Sequence, residues 1–166
     1  MKKRVIIRIG DVFCVECHDY KVFFQYVAID ATQLNSQVIR VFHKKYDINS
    51  NPSIEEIIKN KVDFYAHTVI KIGVCKELWY KMGSCKDLGD INHIYFRLLH
   101  SAKENNWYVW RINEPTITIG ELTEEYRLYD FGWIYACQNV IKRIKEGKYY
   151  VLNGENENQG ITGSVF

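Results

Sequence analysis

Val5, Ile7 and Ile9 sit at alternate positions with Arg8 between them, and Gly10-Asp11 breaks the run before the apolar stretch 12–15. Alternation places such residues on one face of a strand, and the glycine offers a turn or bulge. The segment therefore predicts two short strands or one bent strand. His18-Asp19-Tyr20-Lys21 is a polar connection into the β-branched and aromatic run 22–29, which predicts a hairpin. Residues 31–37 are turn-like, and Val38-Ile39-Arg40-Val41-Phe42 supplies a further strand. The first quarter of the chain reads as a meander.

Asn49-Ser50-Asn51-Pro52-Ser53 marks a helix start, and Ser53 with Glu56 has the spacing at which a hydroxyl satisfies an orphan amide. Ile54, Ile57, Ile58 and Val62 share a helical face, predicting a short helix over 53–60. Beyond it, 66–74 and 78–82 read as strands and 83–90 as a loop, while 91–99 fits either a strand or a helix. The segments 107–112 and 116–119, joined through Asn113-Glu114-Pro115, predict a second hairpin. Ile134, Cys137, Val140, Ile141 and Ile144 recur at helical spacing, with Lys142, Arg143 and Lys145 in the last turn and Gly147 placed to close it. Residues 149–152 suggest an edge strand. The expectation is an α+β fold, a mostly antiparallel, strongly bent sheet or partial barrel with two helices. It forms a single domain over 1–152 and leaves 153–166 as a flexible tail.

A chain of 166 residues, 47% of them hydrophobic, can bury roughly 70% of its unfolded surface, so it needs no staple of disulfide or metal. Its 14% aromatic content and lack of repeats exclude disorder, collagen and coiled coil. The formal charge is only +2, with no basic stripe, which argues against a nucleic-acid partner. No apolar run approaches the ~20 residues that span a bilayer, and no apolar core follows Met1-Lys2-Lys3-Arg4, so a cytoplasmic protein with no membrane partner is expected. Five cysteines, an odd number, suit free thiols in a reducing compartment.

Cys14-Val15-Glu16-Cys17-His18 matches the c-type haem attachment pattern, yet strand alternation would put the two thiols on opposite faces. No second ligand pair completes a zinc site. Neither cofactor nor metal is expected. Asp63 and His67, four apart, could form a general-base pair, although a histidine held by hydrogen bonds at a strand start is the commoner outcome. Around Trp107, the residues Tyr108, Trp110 and Ile112 share one parity and Trp107, Val109 and Arg111 the other. The arginine marks the second face as wetter, which makes Trp107 the outward candidate. The binding candidates are Trp107, Tyr108, Trp110, Asp63 and His67, some of which are expected to converge on one exposed concavity. No residue is assigned a catalytic role.

Taken in order, Ile9-Gly10-Asp11-Val12-Phe13, Phe24-Gln25-Tyr26-Val27-Ala28-Ile29-Asp30, Val38-Ile39-Arg40-Val41-Phe42, Val62-Asp63-Phe64-Tyr65-Ala66 and Trp107-Tyr108-Val109-Trp110 give the chain a look that resembles the immunity protein 26 family. The resemblance covers residues 6–150. It implies a bacterial polymorphic-toxin immunity protein, whose partner is a cognate protein toxin and which acts by binding without catalysis. Some relatives carry a phosphotriesterase label, so a hydrolase is the alternative that the resemblance implies. Gly10-Asp11-Val12-Phe13 also resembles the start of small β-barrel ribonuclease toxins, a nucleic-acid-binding alternative that the near-neutral charge disfavours. Acidic groupings are modest, Glu55-Glu56, Glu121 with Glu124-Glu125, and Glu155 with Glu157, so a basic nuclease is not favoured as the target.

Overall fold

The computed structural model describes residues 5–101 and 103–147. The strand expected at 149–152 and the tail over 153–166 lie outside the described residues. The first hairpin forms as the alternation requires: β1 (Asp11–Glu16) runs antiparallel to β2 (Tyr20–Asp30), with Phe13 opposite Phe24 and Val15 opposite Val22. Its entry needs glycine. Gly10 has φ +98°, and a Cβ there would stand 2.7 Å from the Cys85 carbonyl oxygen.

On the other side of β2 lies β3 (Ser36–Phe42), and β4 (Tyr46–Asp47) pairs with the first residues of β2. The helix α1 (Ile54–Ile58) starts where the Ser53-Glu56 spacing indicates, the Glu56 amide donating to Ser53 Oγ at 3.2 Å. β5 (Val62–Thr68) then pairs antiparallel with β3. Here the structure corrects the sequence reading, since the strand ends at Thr68 and α2 (Ile70–Cys75) follows. The cause is Trp79. Its indole is 2% exposed and packs directly on Gly73, where any Cβ would collide with it, and its Nε1 donates to the Ile70 carbonyl at 3.0 Å. Burial of the largest side chain outweighs the strand preference of Val69, Ile70, Ile72 and Val74.

β6 (Tyr80–Ser84) returns beside β1, and a 3-10 turn at Ile91–His93 leads into β7 (Tyr95–Ser101). The second expected hairpin is β8 (Asn106–Arg111) with β9 (Ile117–Gly120). After the one-turn helix α3 (Glu124–Arg127) come two-residue strands, β10 (Asp130–Phe131) and β11 (Ile134–Tyr135), each parallel to its neighbour. Ile134 thus belongs to a strand, and the last helix, α4 (Cys137–Glu146), begins three residues later than its periodicity suggests. Gly147 closes it at φ +69°, donating to the Arg143 carbonyl at 2.9 Å.

The fold is α+β and mostly antiparallel, with four α-helices among the described residues instead of two. One sheet has the order β11-β5-β3-β2-β1-β6 with β4 beside β2; the second has the order β10-β7-β8-β9. The sheets stay open, so the expected bend does not close into a barrel. Both faces of the large sheet are covered, which is why β2 is buried along most of its length. One face packs Phe13, Phe24, Ile39 and Phe64 against Trp79, Trp107 and the Val140-Ile144 stripe of α4. The other packs Phe23 and Phe42 under Ile57 of α1 at one end, and Val38 and Val27 under Phe96 and Trp110 of the small sheet at the other. Among the described residues no helix is long and apolar enough to cross a membrane.

Candidate functional site

Asp30 ends β2 at the seam between the two sheets and is 0% exposed. Its Oδ2 accepts from His67 Nε2 at 2.8 Å and from Trp110 Nε1 at 3.0 Å, and its Oδ1 accepts from the backbone amides of Thr32 and Asn113, each at 3.0 Å. Burial alone would push this carboxyl upward. The donors outweigh it, His67 first, then Trp110 and the Asn113 amide, and they hold the pKa down at about 2. A carboxylate only accepts, so His67 carries its proton on Nε2. Burial lowers the His67 pKa and the Asp30 charge opposes that shift without cancelling it, so the imidazole is neutral. Its Nδ1 is buried without a hydrogen bond, and the ring lies 4.2 Å from that of Phe96. The group is a clamp between sheets.

His67 is therefore a structural histidine, and its carboxylate is Asp30 rather than Asp63. Four residues along a strand span about 13 Å, so the Asp63-His67 pair cannot form. Asp63 instead meets His43 Nδ1 at 3.4 Å on the rim of a cleft of about 380 Å³. Val22, Val41, Phe42 and Ile144 contribute its apolar lining, and Lys45, Lys145 and Glu146 its charges. Nothing along the chain marks this pairing, because β3 and β5 bring the two residues together from 20 positions apart.

The tryptophans also depart from expectation. Trp107 is 1% exposed and Trp110 is 4% exposed, while Tyr108 is half-buried with its ring 4.5 Å from that of His100. Strand parity put Trp107 outward, but β8 is covered on both faces, so parity separates two cores rather than core from water. The five candidates do not converge on one concavity. Trp107, Trp110 and His67 are core, and Asp63 stands alone of the five at the cleft.

An aromatic surface lies elsewhere, around the start of β7. Tyr95 stacks on Tyr129 with centroids 4.8 Å apart and planes at 22°, and Tyr126 meets Tyr129 edge-on at 5.3 Å. All three are partly exposed, and Leu128 beside them is 85% exposed. Strand pairing sets Arg111 opposite Tyr95; Arg111 in turn pairs with Glu114, and Arg127 with Glu124 at 3.6 Å. Burial and the Glu125 carboxylate raise the Tyr129 phenol, which stays neutral. No single run marks this face in the sequence. Tyr95 comes from a strand, while Tyr126 and Tyr129 come from α3 and the turn after it.

Cys14 and Cys17 are buried in different cores on opposite sides of the large sheet, as alternation requires, and all five thiols are free. Among the described residues no group of three or more His, Cys, Asp or Glu is arranged to hold a metal ion. No protein-family model, no curated protein and no solved structure matches the chain.

Proposed function

We propose that this chain is a binding protein of the immunity kind, which neutralises a protein toxin by covering part of its surface. The observation that carries the reading is the Tyr95-Tyr129-Tyr126 array. Tyrosines presented on a fixed scaffold beside an exposed leucine combine large contact area with low conformational entropy, the composition of a binding hot spot. Beneath the array, Trp110 is tied to the large sheet by its hydrogen bond to Asp30, and Phe96 packs against the His67 ring at 4.2 Å.

The test is co-expression with toxins encoded beside the gene, scored by growth and by co-purification. The expected result is that the chain rescues growth from one of them, an effect lost in Tyr129→Ala. A second reading, a hydrolase, is favoured by one observation, the His43-Asp63 pair at the mouth of the cleft. Failure to bind any neighbouring toxin, together with metal-dependent phosphotriester turnover abolished by His43→Ala, would replace the first reading with the second.

A further inference from the structure

The near-neutral formal charge hides a segregation. Residues 87–131, which include the whole small sheet and α3, hold eight Asp and Glu against four Lys and Arg, a net of −4, while the chain as a whole is +2. The remainder is thus +6. One of the four cations, Arg97, is 3% exposed and adds little to the surface field, whereas Glu124 and Glu125 stand beside the tyrosine array in solvent. Arg111 and Arg127 are each already matched by a glutamate.

We propose that the partner docks a protein surface rich in arginine and lysine on this tyrosine face; the inference rests on the reading of the chain as a binding protein and adds the chemistry of what it binds. Two attractions act together there. The flanking carboxylates draw cationic side chains in, and the ring faces of Tyr95, Tyr126 and Tyr129 accept guanidinium groups by cation-π contact. Glu125, together with Glu124, whose side chain is 98% exposed and meets Arg127 only at 3.6 Å, is within reach of an arriving basic chain, and the +6 remainder repels it from the rest of the molecule, so orientation is set before contact. Of the acidic groupings in the sequence, Glu121 with Glu124-Glu125 falls in this segment, where Asp87, Asp90, Glu104, Glu114 and Asp130 add to it.

The experiment uses the full chain, 15N-labelled, titrated with an oligoarginine peptide at about 10 mM ionic strength and again at about 300 mM, where screening shortens the reach of the field to a few ångströms. Amide shifts are expected at Tyr95, Arg111, Glu125 and Tyr129, with affinity falling at least tenfold at the higher salt. The double variant Glu124→Lys, Glu125→Lys should lose them while keeping its circular dichroism spectrum. Shifts centred elsewhere, or unchanged in the double variant, overturn the proposal. So does perturbation of this face by an oligouridine RNA in place of the peptide. A toxin that co-purifies and is equally well bound by the double variant refutes the basic partner while leaving the binding reading intact; absence of any bound toxin refutes that reading itself.

Discussion

Asp30 and His67 meet across β3, carboxylate oxygen to imidazole nitrogen at 2.8 Å, with both side chains fully withdrawn from solvent. One carboxylate there satisfies four donors that come from β2's own turn, from β5, from β8 and from the loop after β8. Asn113, whose amide is one of them, takes φ +63° and accepts the Ala31 amide on its own Oδ1 at 2.8 Å. At this end of β2 the two sheets are thereby joined through one ionised group.

Asp30→Ala should be among the most damaging single substitutions in the chain. It strands two buried side-chain donors and takes the acceptor from two part-buried amides, and an expected loss of about 3–5 kcal/mol follows from leaving buried polar groups unpaired. Urea unfolding monitored by tryptophan fluorescence checks it. A loss below about 1 kcal/mol would show that the clamp does not hold the sheets together.

Acid should weaken the fold in two stages. The His67 imidazole titrates near 6.5 when unfolded and lower when buried, so below about pH 6.5 protons go first to the unfolded chain and stability declines. Asp30, at 3.8 unfolded and about 2 folded, contributes a further loss of about 2 kcal/mol as the pH falls through that window. Unfolding free energies measured at intervals from pH 7.5 downward should show the first decline in the parent chain and not in His67→Gln, which retains a side-chain donor but cannot take up the proton. Identical profiles for the two would contradict the assignment.

Gly132 is pressed against the Trp110 ring so closely that a Cβ would collide with it, while its amide donates to the Arg97 carbonyl at 2.8 Å. Gly132→Ala should destabilise by about 1–3 kcal/mol through overpacking and alter the near-ultraviolet circular dichroism of Trp110. Gly120→Ala is the control for steric crowding: unlike Gly132 that glycine has a positive φ, +70°, but nothing lies within 4 Å of its added Cβ. Its cost should be the smaller one, without the tryptophan signal.

Thiol labelling gives a simple map of burial. Cys75 is exposed, Cys85 half-buried, and Cys14, Cys17 and Cys137 buried, with burial raising the thiol pKa of Cys14 and Cys137. A chromogenic disulfide reagent should find one fast thiol and one slower, with three released only by denaturant. Fast reaction of Cys14 and Cys17 in the folded protein would refute the two-sided covering of the large sheet.

Much of the scaffold was legible because local pattern and tertiary demand agree. β1, β2, β3 and the Ser53 cap follow from alternation and turn chemistry, and α4 follows from a stripe ending in Gly147. Where the two conflict, the pattern misleads. The segment beginning at Ile70 has strand-like residues but must coil so that Trp79 can lie on Gly73, and Trp107 has an outward parity in a strand with no outward side. The surface was the least legible part. His43-Asp63 and Tyr95-Tyr129 are contacts between distant segments, and no spacing rule along the chain encodes either. Asp30 did carry a local signal, an aspartate at a strand end whose side chain accepts the amide two residues on, although nothing nearby announces His67 or Trp110 as partners.

The most direct test of a function carried by the outer surface is calorimetric titration of the co-purified toxin with three versions of the chain: parent, Tyr129→Ala and His43→Ala. The expected result is a loss of affinity of about 30-fold or more in Tyr129→Ala, a hot-spot effect of about 2 kcal/mol, with His43→Ala binding as the parent does. Full affinity in Tyr129→Ala and loss in His43→Ala would move the working site from the tyrosine face to the cleft and contradict the account.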